Sequence, residues 1–370
     1  MVADLRMPSR AAVELVNTKH RNERKYRMAL ITSYHVPGLY VEDHSIDGAV
    51  DWRGLDPMLL AVGSTMRRGA MPAPIAGAPE SIKLFYRVVC APDRINDDLP
   101  LLLFLQGGPG GESPRPLSPA SDGWIEEAVK HFRVVLPDQR GTGRSSCVDR
   151  HTIAALGERA TAAGSDAARS QADFLKRHLA SSIVRDFEYL RLVGFGGKPW
   201  VTLGQSYGGF LTLSYLSLFP EGVAASFTCG GIPHVPASAS EVYAHTFPRM
   251  AIKTQQYYDR YPVDIERVAT LADALEDQKP VLPDGSPMTV ERLQLMGSDF
   301  GMKPSFERMH WIIDHAFADG DGTLGCGASV SDSFLMRAFE RISTRTNPLY
   351  WTLQEFIYAD GDTMPIRWAA

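Results

Sequence analysis

The 370-residue sequence predicts an α/β protein: a doubly wound, mostly parallel sheet that begins with an antiparallel hairpin, followed by an all-helical unit. Short apolar runs alternate with helical segments in the first part of the chain, and this alternation is typical of such a sheet. The strand signal then stops, while helical periodicity continues. We therefore expect a poorly defined leader over residues 1–33, a sheet-containing core over 34–231 and a helical unit over 232–370.

The N-terminal part of the predicted sheet is a hairpin. Short β-like stretches alternate with turn residues from Val36 to Trp52, and strand signal resumes over Ile82–Cys90. Between them, Asp56–Glu80 is rich in glycine, proline and alanine, which predicts an irregular loop.

The parallel part of the sheet is predicted from nearly continuous apolar runs bounded by glycine or proline. Buried parallel strands have this pattern because helices cover both faces of the sheet. The runs are Leu101–Gln106, Phe132–Pro137, Trp200–Gln205 and Ala225–Gly230. Apolar residues at spacings of three and four between them, over Ala168–Val193, predict a helix.

The second unit is predicted to be all-helical, because helical periodicity dominates from Glu241 to Phe356. Within Phe306–Phe317, one helical face collects Phe306, Met309, Ile313 and Phe317. The glycine-rich segment Gly320–Gly327 is predicted to be a flexible connector.

Composition excludes several classes of protein. Lys and Arg total 38 against 43 Asp and Glu, and this net charge of -5 gives no sign of a nucleic-acid partner. Apolar runs such as Leu101–Leu105 are far shorter than the roughly 20 residues that a membrane helix needs. Met1–Tyr26 has no apolar core of a secretory signal, so we predict a cytoplasmic protein without a membrane partner.

The four cysteines are scattered, without the paired spacing of a zinc site or a disulfide framework. Cys90 and Cys229 lie in apolar β-like runs, where a cysteine is expected to be a small buried hydrophobe.

The sharpest chemical signal is the pentapeptide G-Q-S-Y-G at Gly204–Gly208, which follows an apolar strand and precedes an apolar-periodic segment. This is the G-x-S-x-G nucleophile elbow in the strand–turn–helix context that it requires. The glycines leave room for a sharp turn that presents the serine hydroxyl. Ser206 is therefore the predicted nucleophile, and a merely structural glycine turn is the alternative.

A second signal is the glycine-rich stretch Q-G-G-P-G-G at Gln106–Gly111, directly after an apolar strand. Such a loop can supply backbone N–H groups to an oxyanion, together with the N–H of the residue after the nucleophile. Gly108 and Tyr207 are the predicted backbone donors. A phosphate-binding loop is excluded because neither of its glycine patterns fits this stretch, and a purely structural turn remains the alternative.

A third signal, P-D-Q-R-G-T-G-R-S-S at Pro137–Ser146, also ends an apolar strand. We interpret it as scaffold, in which Asp138 pairs with Arg140 or Arg144 to hold the shape of the loop.

These three motifs, in this order and spacing, resemble those of the proline iminopeptidases, also called prolyl aminopeptidases, of the α/β-hydrolase superfamily. The resemblance is greatest to the larger subgroup, in which glutamine replaces the histidine that begins the H-G-G-P-G loop. It extends to Tyr34–Gly38, Ser182–Asp186, Thr346–Tyr350 and Leu353–Tyr358, and so covers most of the chain from about residue 34 onward.

The resemblance implies a serine peptidase that releases an N-terminal proline, or a similar small residue, from short peptides. Ser206 would form the acyl-enzyme, with a histidine as base and an aspartate that orients it. It further implies that Gly107 lies at the substrate, and that acidic residues of the helical cap hold the substrate's α-ammonium group. Glu307 and Glu355 are the candidates for these anchors, and an exposed helix carboxylate is the alternative for each.

The order of the triad in this superfamily is Ser, then Asp, then His. The family segments that carry its aspartate and histidine have no counterpart here, so we expect the final core strands with both residues to be absent from this sequence. An alternative base is His310 or His315, oriented by Asp299 or Asp314. We disfavour this alternative because a base must come within about 3 Å of the nucleophile, and a side chain packed in a helix of the second unit would have to reach the ends of the strands.

Three functions remain open from the sequence: a prolyl aminopeptidase, another esterase or amidase of the same fold, and an inactive fragment or pseudo-enzyme that lacks the triad partners. Acyl transfer by an activated serine needs no metal and no organic cofactor, so none is predicted. The expected partner is a short peptide with a free N-terminus, and the sequence does not determine the oligomeric state.

Overall fold

The computed structural model describes residues 29–62, 72–235, 237–317, 328–358 and 366–368. The chain divides into two compact units, Met1–Pro233 and His234–Ala370. Strand β1 already begins at Ala29, inside the segment 1–33 that was predicted to be a poorly defined leader. The predicted connector 320–327 lies outside the described residues.

The first unit contains a seven-stranded sheet with the order β1-β2-β3-β5-β4-β6-β7. The pairs β1–β2, β2–β3 and β3–β5 are antiparallel. Strands β5, β4, β6 and β7 run parallel to one another. The mixed, mostly parallel α/β sheet predicted from the sequence is thus confirmed. The strands are β1 Ala29–Val36, β2 Leu39–Ala49, β3 Ser81–Cys90, β4 Leu101–Leu105, β5 Arg133–Pro137, β6 Trp200–Gln205 and β7 Val223–Cys229.

Burial across the sheet follows strand position. All five residues of the central strand β4 are buried, as its continuous apolar sequence predicts. Strand β7 is exposed along most of its length, because it lies at the edge of the described sheet and pairs there with β6. We expected a buried strand over Ala225–Gly230, and this expectation is wrong because most of β7 is exposed. The Cys229 thiol, which we also expected to be buried, is exposed. Cys90 is buried, as expected.

Helices of the first unit connect these strands. The helix predicted over Ala168–Val193 is in fact two helices, Ala167–Leu175 (α4) and Ala180–Gly194 (α5), because Leu179 adopts an extended conformation (φ −81°, ψ 170°) between them. In its described part, the predicted irregular loop contains the short helix Pro57–Ala61 (α1), whose first N–H groups are capped by the Asp56 carboxylate, whereas residues 63–71 lie outside the described residues. The helices are α1 Pro57–Ala61, α2 Trp124–Ala128, α3 Arg150–Ala162, α4 Ala167–Leu175, α5 Ala180–Gly194 and α6 Gly208–Leu218.

The described residues of the second unit form helices and two isolated β-bridges. Its core is apolar and includes Tyr257, Leu271, Met296, Phe300 and Phe334. The helix predicted over Phe306–Phe317 ends at Asp314, and Phe317 instead pairs with Val330 in one of the bridges. The helices are α7 Ala239–Arg260, α8 Val263–Gln278, α9 Val290–Met296, α10 Phe306–Asp314, α11 Asp332–Ile342 and α12 Leu349–Gln354. None of the helices in the described ranges is long and apolar enough to cross a membrane.

Candidate active site

Ser206 lies in the tight turn between β6 and α6, with its backbone in the left-handed region at φ +55°. A non-glycine residue is held there only when its surroundings fix it. Here the Ser206 N–H donates to the Cys229 carbonyl at 2.9 Å, and the Ser206 carbonyl accepts from the Gly209 N–H at 2.9 Å. The side chain is exposed. This is the geometry expected of a nucleophile elbow.

Two glycines explain why the turn can be so tight. A Cβ atom at Gly204 would lie 2.6 Å from Thr212 Oγ1 and would also collide with the Gly208 carbonyl. A Cβ atom at Gly208 would collide with the Leu105 carbonyl at the end of β4. Helix α6 thus approaches the strands closely because neither residue has a side chain.

The glycine-rich loop after β4 lies directly against Ser206. A Cβ atom at Gly107 would be 2.9 Å from Ser206 Cβ and 3.5 Å from Ser206 Oγ. The next residue, Gly108, has φ +120°, a conformation that L side chains rarely adopt. The order β5-β4-β6 causes this approach, because the carboxyl ends of adjacent parallel strands meet at the same edge of the sheet.

Hydrogen bonds distinguish the N–H groups of this loop. The Gly107 N–H donates to Gln106 Oε1 at 2.7 Å, so this group is already engaged within the loop. The two donors predicted from the sequence are the N–H groups of Gly108 and Tyr207, and Gly108 directly follows Gly107 in the loop. Tyr207 directly precedes helix α6, its side chain is buried and its ring stacks on Phe210.

The buried charges of the third motif are paired differently from our expectation. Arg140 forms a bidentate ion pair with Asp186 of α5, at 2.6 and 2.5 Å, instead of pairing with Asp138. Its remaining donors bond three backbone carbonyls, those of Ala49, Val50 and Arg177. Asp186 also accepts from Trp52 Nε1 at 2.8 Å. This pair joins the loop after β5 to α5 and to the end of β2, so its role is structural.

Asp138 itself is buried and bound by Arg115, whose two Nη atoms lie 2.8 and 2.7 Å from its carboxylate. Asp138 also accepts from the backbone N–H groups of Ser113 and Arg144, at 3.1 and 2.8 Å. The Arg144 side chain reaches Asp43 instead, at 2.7 Å. The predicted pair of Asp138 with the Arg144 side chain is thus replaced by a backbone contact, and Arg115 is the partner that sequence reasoning missed.

His178 is a buried histidine beneath this network. Burial, reinforced by the nearby Arg140 charge, lowers the pKa of His178 to about 3. Its Nδ1 lies 3.0 Å from the Phe174 carbonyl. The imidazole is therefore neutral at ordinary pH and serves as a packed core group.

The two candidate anchors for a substrate amine both have partners in this structure. Glu307 forms an ion pair with Arg260 at 2.7 Å, and its side chain is 42% exposed. Glu355 Oε1 accepts the Arg367 N–H at 2.9 Å. Both assignments stay predictions, and an amine that bound Glu307 would compete with Arg260.

The histidines of the helical unit have different partners from those considered in the sequence analysis. His310 Nδ1 lies 2.8 Å from Asp264, a fully buried carboxylate that also accepts from Tyr257 Oη at 2.5 Å. Asp299 and Asp314 are paired with arginines instead, and His315 Nδ1 bonds the Trp311 carbonyl. Asp264 is 46 residues from His310 in the chain, so no local pattern in the sequence indicates this contact. Within the described ranges, no three His, Cys, Asp or Glu side chains are grouped as metal ligands.

Comparisons with known proteins agree with this geometry. Residues 100–264 match the family model for the alpha/beta hydrolase fold. The match spans the glycine-rich loop, the elbow and the strands that carry them. The sheet order and the elbow therefore define the class of this protein as the α/β hydrolases.

Within that class, sequence similarity identifies the family. A proline iminopeptidase of Aeromonas sobria is 39% identical over 291 residues, which are 79% of this chain and 63% of that protein. A proline iminopeptidase of Aspergillus aculeatus is 31% identical over 288 residues, which are 76% of this chain and 60% of that protein. These similarities support the proline iminopeptidase family for this chain.

The chain spans about three-fifths of the length of these two relatives. Among solved structures, VinJ aligns with 77% of this chain and 69% of its own at 16% identity, with a TM-score of 0.34.

Proposed function

We propose that this protein is a serine hydrolase of the prolyl aminopeptidase type, which releases an N-terminal proline or a similar small residue from short peptides. The observation that carries the proposal is the position of Ser206, exposed on a strained turn and so close to Gly107 that a Cβ atom placed there would lie 2.9 Å from Ser206 Cβ. The family assignment supports the choice of peptide substrate.

The chemistry follows from the positions of these groups. Ser206 Oγ attacks the carbonyl carbon of the substrate's first residue and gives up its proton to the histidine base that the family resemblance implies, for which this sequence contains no counterpart of the family segment. The carbonyl oxygen becomes an oxyanion, which the N–H groups of Gly108 and Tyr207 stabilise. The C–N bond then breaks, the amine of the shortened peptide leaves with a proton, and water hydrolyses the acyl-enzyme.

The selectivity for a free N-terminus is proposed to come from carboxylates of the helical unit. A buried ammonium group needs an opposite charge, and Glu307 and Glu355 are the residues proposed for that role. Each would lower KM for substrates with a free amine, while substrates with a blocked amine would gain nothing from it.

Ser206→Ala tests the nucleophile. We expect it to abolish hydrolysis of proline p-nitroanilide and covalent labelling by a fluorophosphonate, because both require the serine hydroxyl. Ser217→Ala is the matched control, since Ser217 is a serine of α6 whose hydroxyl bonds the Leu213 carbonyl and is remote from the elbow turn. Turnover that persists in Ser206→Ala would refute the nucleophile, and a preference for short acyl esters over proline p-nitroanilide would favour the esterase alternative.

A further inference from the structure

The side chain of Gln106 closes the glycine-rich loop on itself. Its Oε1 accepts the Gly107 N–H at 2.7 Å, and its Nε2 donates to the Glu112 carbonyl at 2.7 Å. One amide group thus bonds the first and the last peptide units of the segment Gly107–Glu112. A glycine-rich segment has high backbone entropy, so two such bonds restrict it strongly.

A second glutamine fixes the start of the same loop. Gln139, in the loop after β5, donates its Nε2 to the Gln106 carbonyl at 2.7 Å. Its side chain is almost fully buried, and its Oε1 has no hydrogen-bond partner among the described residues. A buried acceptor without a partner is unfavourable. The orientation of the Gln139 amide that lets Nε2 donate to the Gln106 carbonyl therefore costs stability at Oε1.

The C-terminal end of the glycine-rich loop is held at the end of β5, close in sequence to Gln139. Ser113 donates its N–H to Asp138 at 3.1 Å and its hydroxyl to the Pro137 carbonyl at 2.5 Å. The loop after β5 therefore supports both ends of the loop after β4, and Gly107 rests on Ser206 between them.

We propose that Gln106 and Gln139 are positioning residues that hold the Gly107–Glu112 loop in place for oxyanion stabilisation at Ser206. The catalytic part of this proposal rests on the proposed function. Neither side chain needs to touch the substrate: Gln106 occupies the Gly107 N–H and thereby fixes the orientation of the peptide that follows, which carries the Gly108 N–H. A displacement of about 1 Å at such a donor lowers the rate up to about 100-fold, because the oxyanion forms at a fixed point.

Near-isosteric variants test the proposal in the full chain. Gln106→Met and Gln139→Met remove the hydrogen bonds and keep the side-chain volume, whereas Gln106→Glu keeps the acceptor for the Gly107 N–H and loses the donor to Glu112. On proline p-nitroanilide we expect both Met variants to lower kcat about 10- to 100-fold with KM within about threefold of wild type. Gln106→Glu should recover part of this loss.

The matched control is Gln278→Met. Gln278 bridges a loop of the helical unit in the same way, donating to the Ala328 carbonyl at 2.9 Å and accepting from the Val330 N–H at 3.1 Å. Its loss should leave kcat unchanged, although it removes the same two kinds of hydrogen bond. An equal fall in kcat for all three Met variants would overturn the proposal in favour of a general effect on stability.

Amide hydrogen exchange separates this proposal from the proposed function. In Gln106→Met and Gln139→Met, the peptide containing residues 105–113 should exchange about tenfold faster, as the loss of one hydrogen bond of ordinary strength implies, while Gln278→Met leaves it unchanged. Unchanged exchange in this peptide would overturn the positioning role, whatever the activity. Faster exchange together with a wild type that shows no Ser206-dependent turnover would uphold the clamp and refute the serine hydrolase.

Discussion

The buried ion pair between Arg140 and Asp186 should be sensitive to the loss of either charge. Both side chains are 1% exposed or less. The Nε, Nη1 and Nη2 atoms of Arg140 each donate to an acceptor. Asp186→Asn keeps the shape of the side chain but removes the charge and turns an NH₂ group toward a guanidinium donor. Breaking a buried pair from one side costs about 3–5 kcal/mol, because the remaining charge stays buried without compensation.

Urea unfolding followed by circular dichroism measures this loss. We expect Asp186→Asn and Arg140→Met each to lose free energy of unfolding in this range, and the double variant to lose less than the sum of the two, since it leaves no buried charge without a partner. Asp98→Asn is the control: Asp98 pairs with Lys198 at 3.2 Å on the surface, and its removal should lie within experimental error. Losses in the two single variants that add up in the double variant would refute the idea that these charges depend on one another.

Two further predictions concern His178 and Gly107. The pKa of His178 is about 3 in the folded protein against 6.5 for an ordinary histidine, so below pH 6.5 the unfolded chain takes up a proton that the folded chain does not. Stability is therefore lost as the pH falls from 6.5 toward 3, by about 2 kcal/mol at pH 5, and unfolding at pH 7 and pH 5 should show this loss in wild type and not in His178→Asn. Gly107→Ala places a methyl group 2.8 Å from the Gln205 carbonyl and 2.9 Å from Ser206 Cβ, so it should displace the loop and lower kcat about 10- to 100-fold. Fluorophosphonate labelling as fast as that of wild type would show that the loop tolerates the methyl group.

The strands and the elbow could be predicted because their signals are local. Continuous apolar runs mark β4 and β5, and G-Q-S-Y-G after a strand marks Ser206, since both depend on the conformations of a few consecutive residues. The glycine loop was found for the same reason. Its contact with Ser206 required the strand order, which places β4 between β5 and β6.

Errors in the prediction came from long-range packing. The break at Leu179 divides a segment whose helical periodicity continues on both sides, because periodicity reports which residues face the core and not where a helix ends. Cys229 lies in a β-like run that we expected to be buried, but its burial depends on what lies beside β7. No property of the strand sequence alone contains that information.

The sequence by itself predicted the α/β class, the tight turn at Ser206, the glycine-rich loop and the family resemblance, because local backbone chemistry and motif order suffice for these. Only the tertiary structure decided the partners of the polar groups: Arg140 with Asp186, Arg115 with Asp138, and Gln139 with the carbonyl of Gln106. Ion pairs and amide hydrogen bonds require atoms to meet within about 3 Å. For residues tens of positions apart, that approach is set by the order of strands in the sheet and by the helices packed on it, and not by their neighbours in the chain.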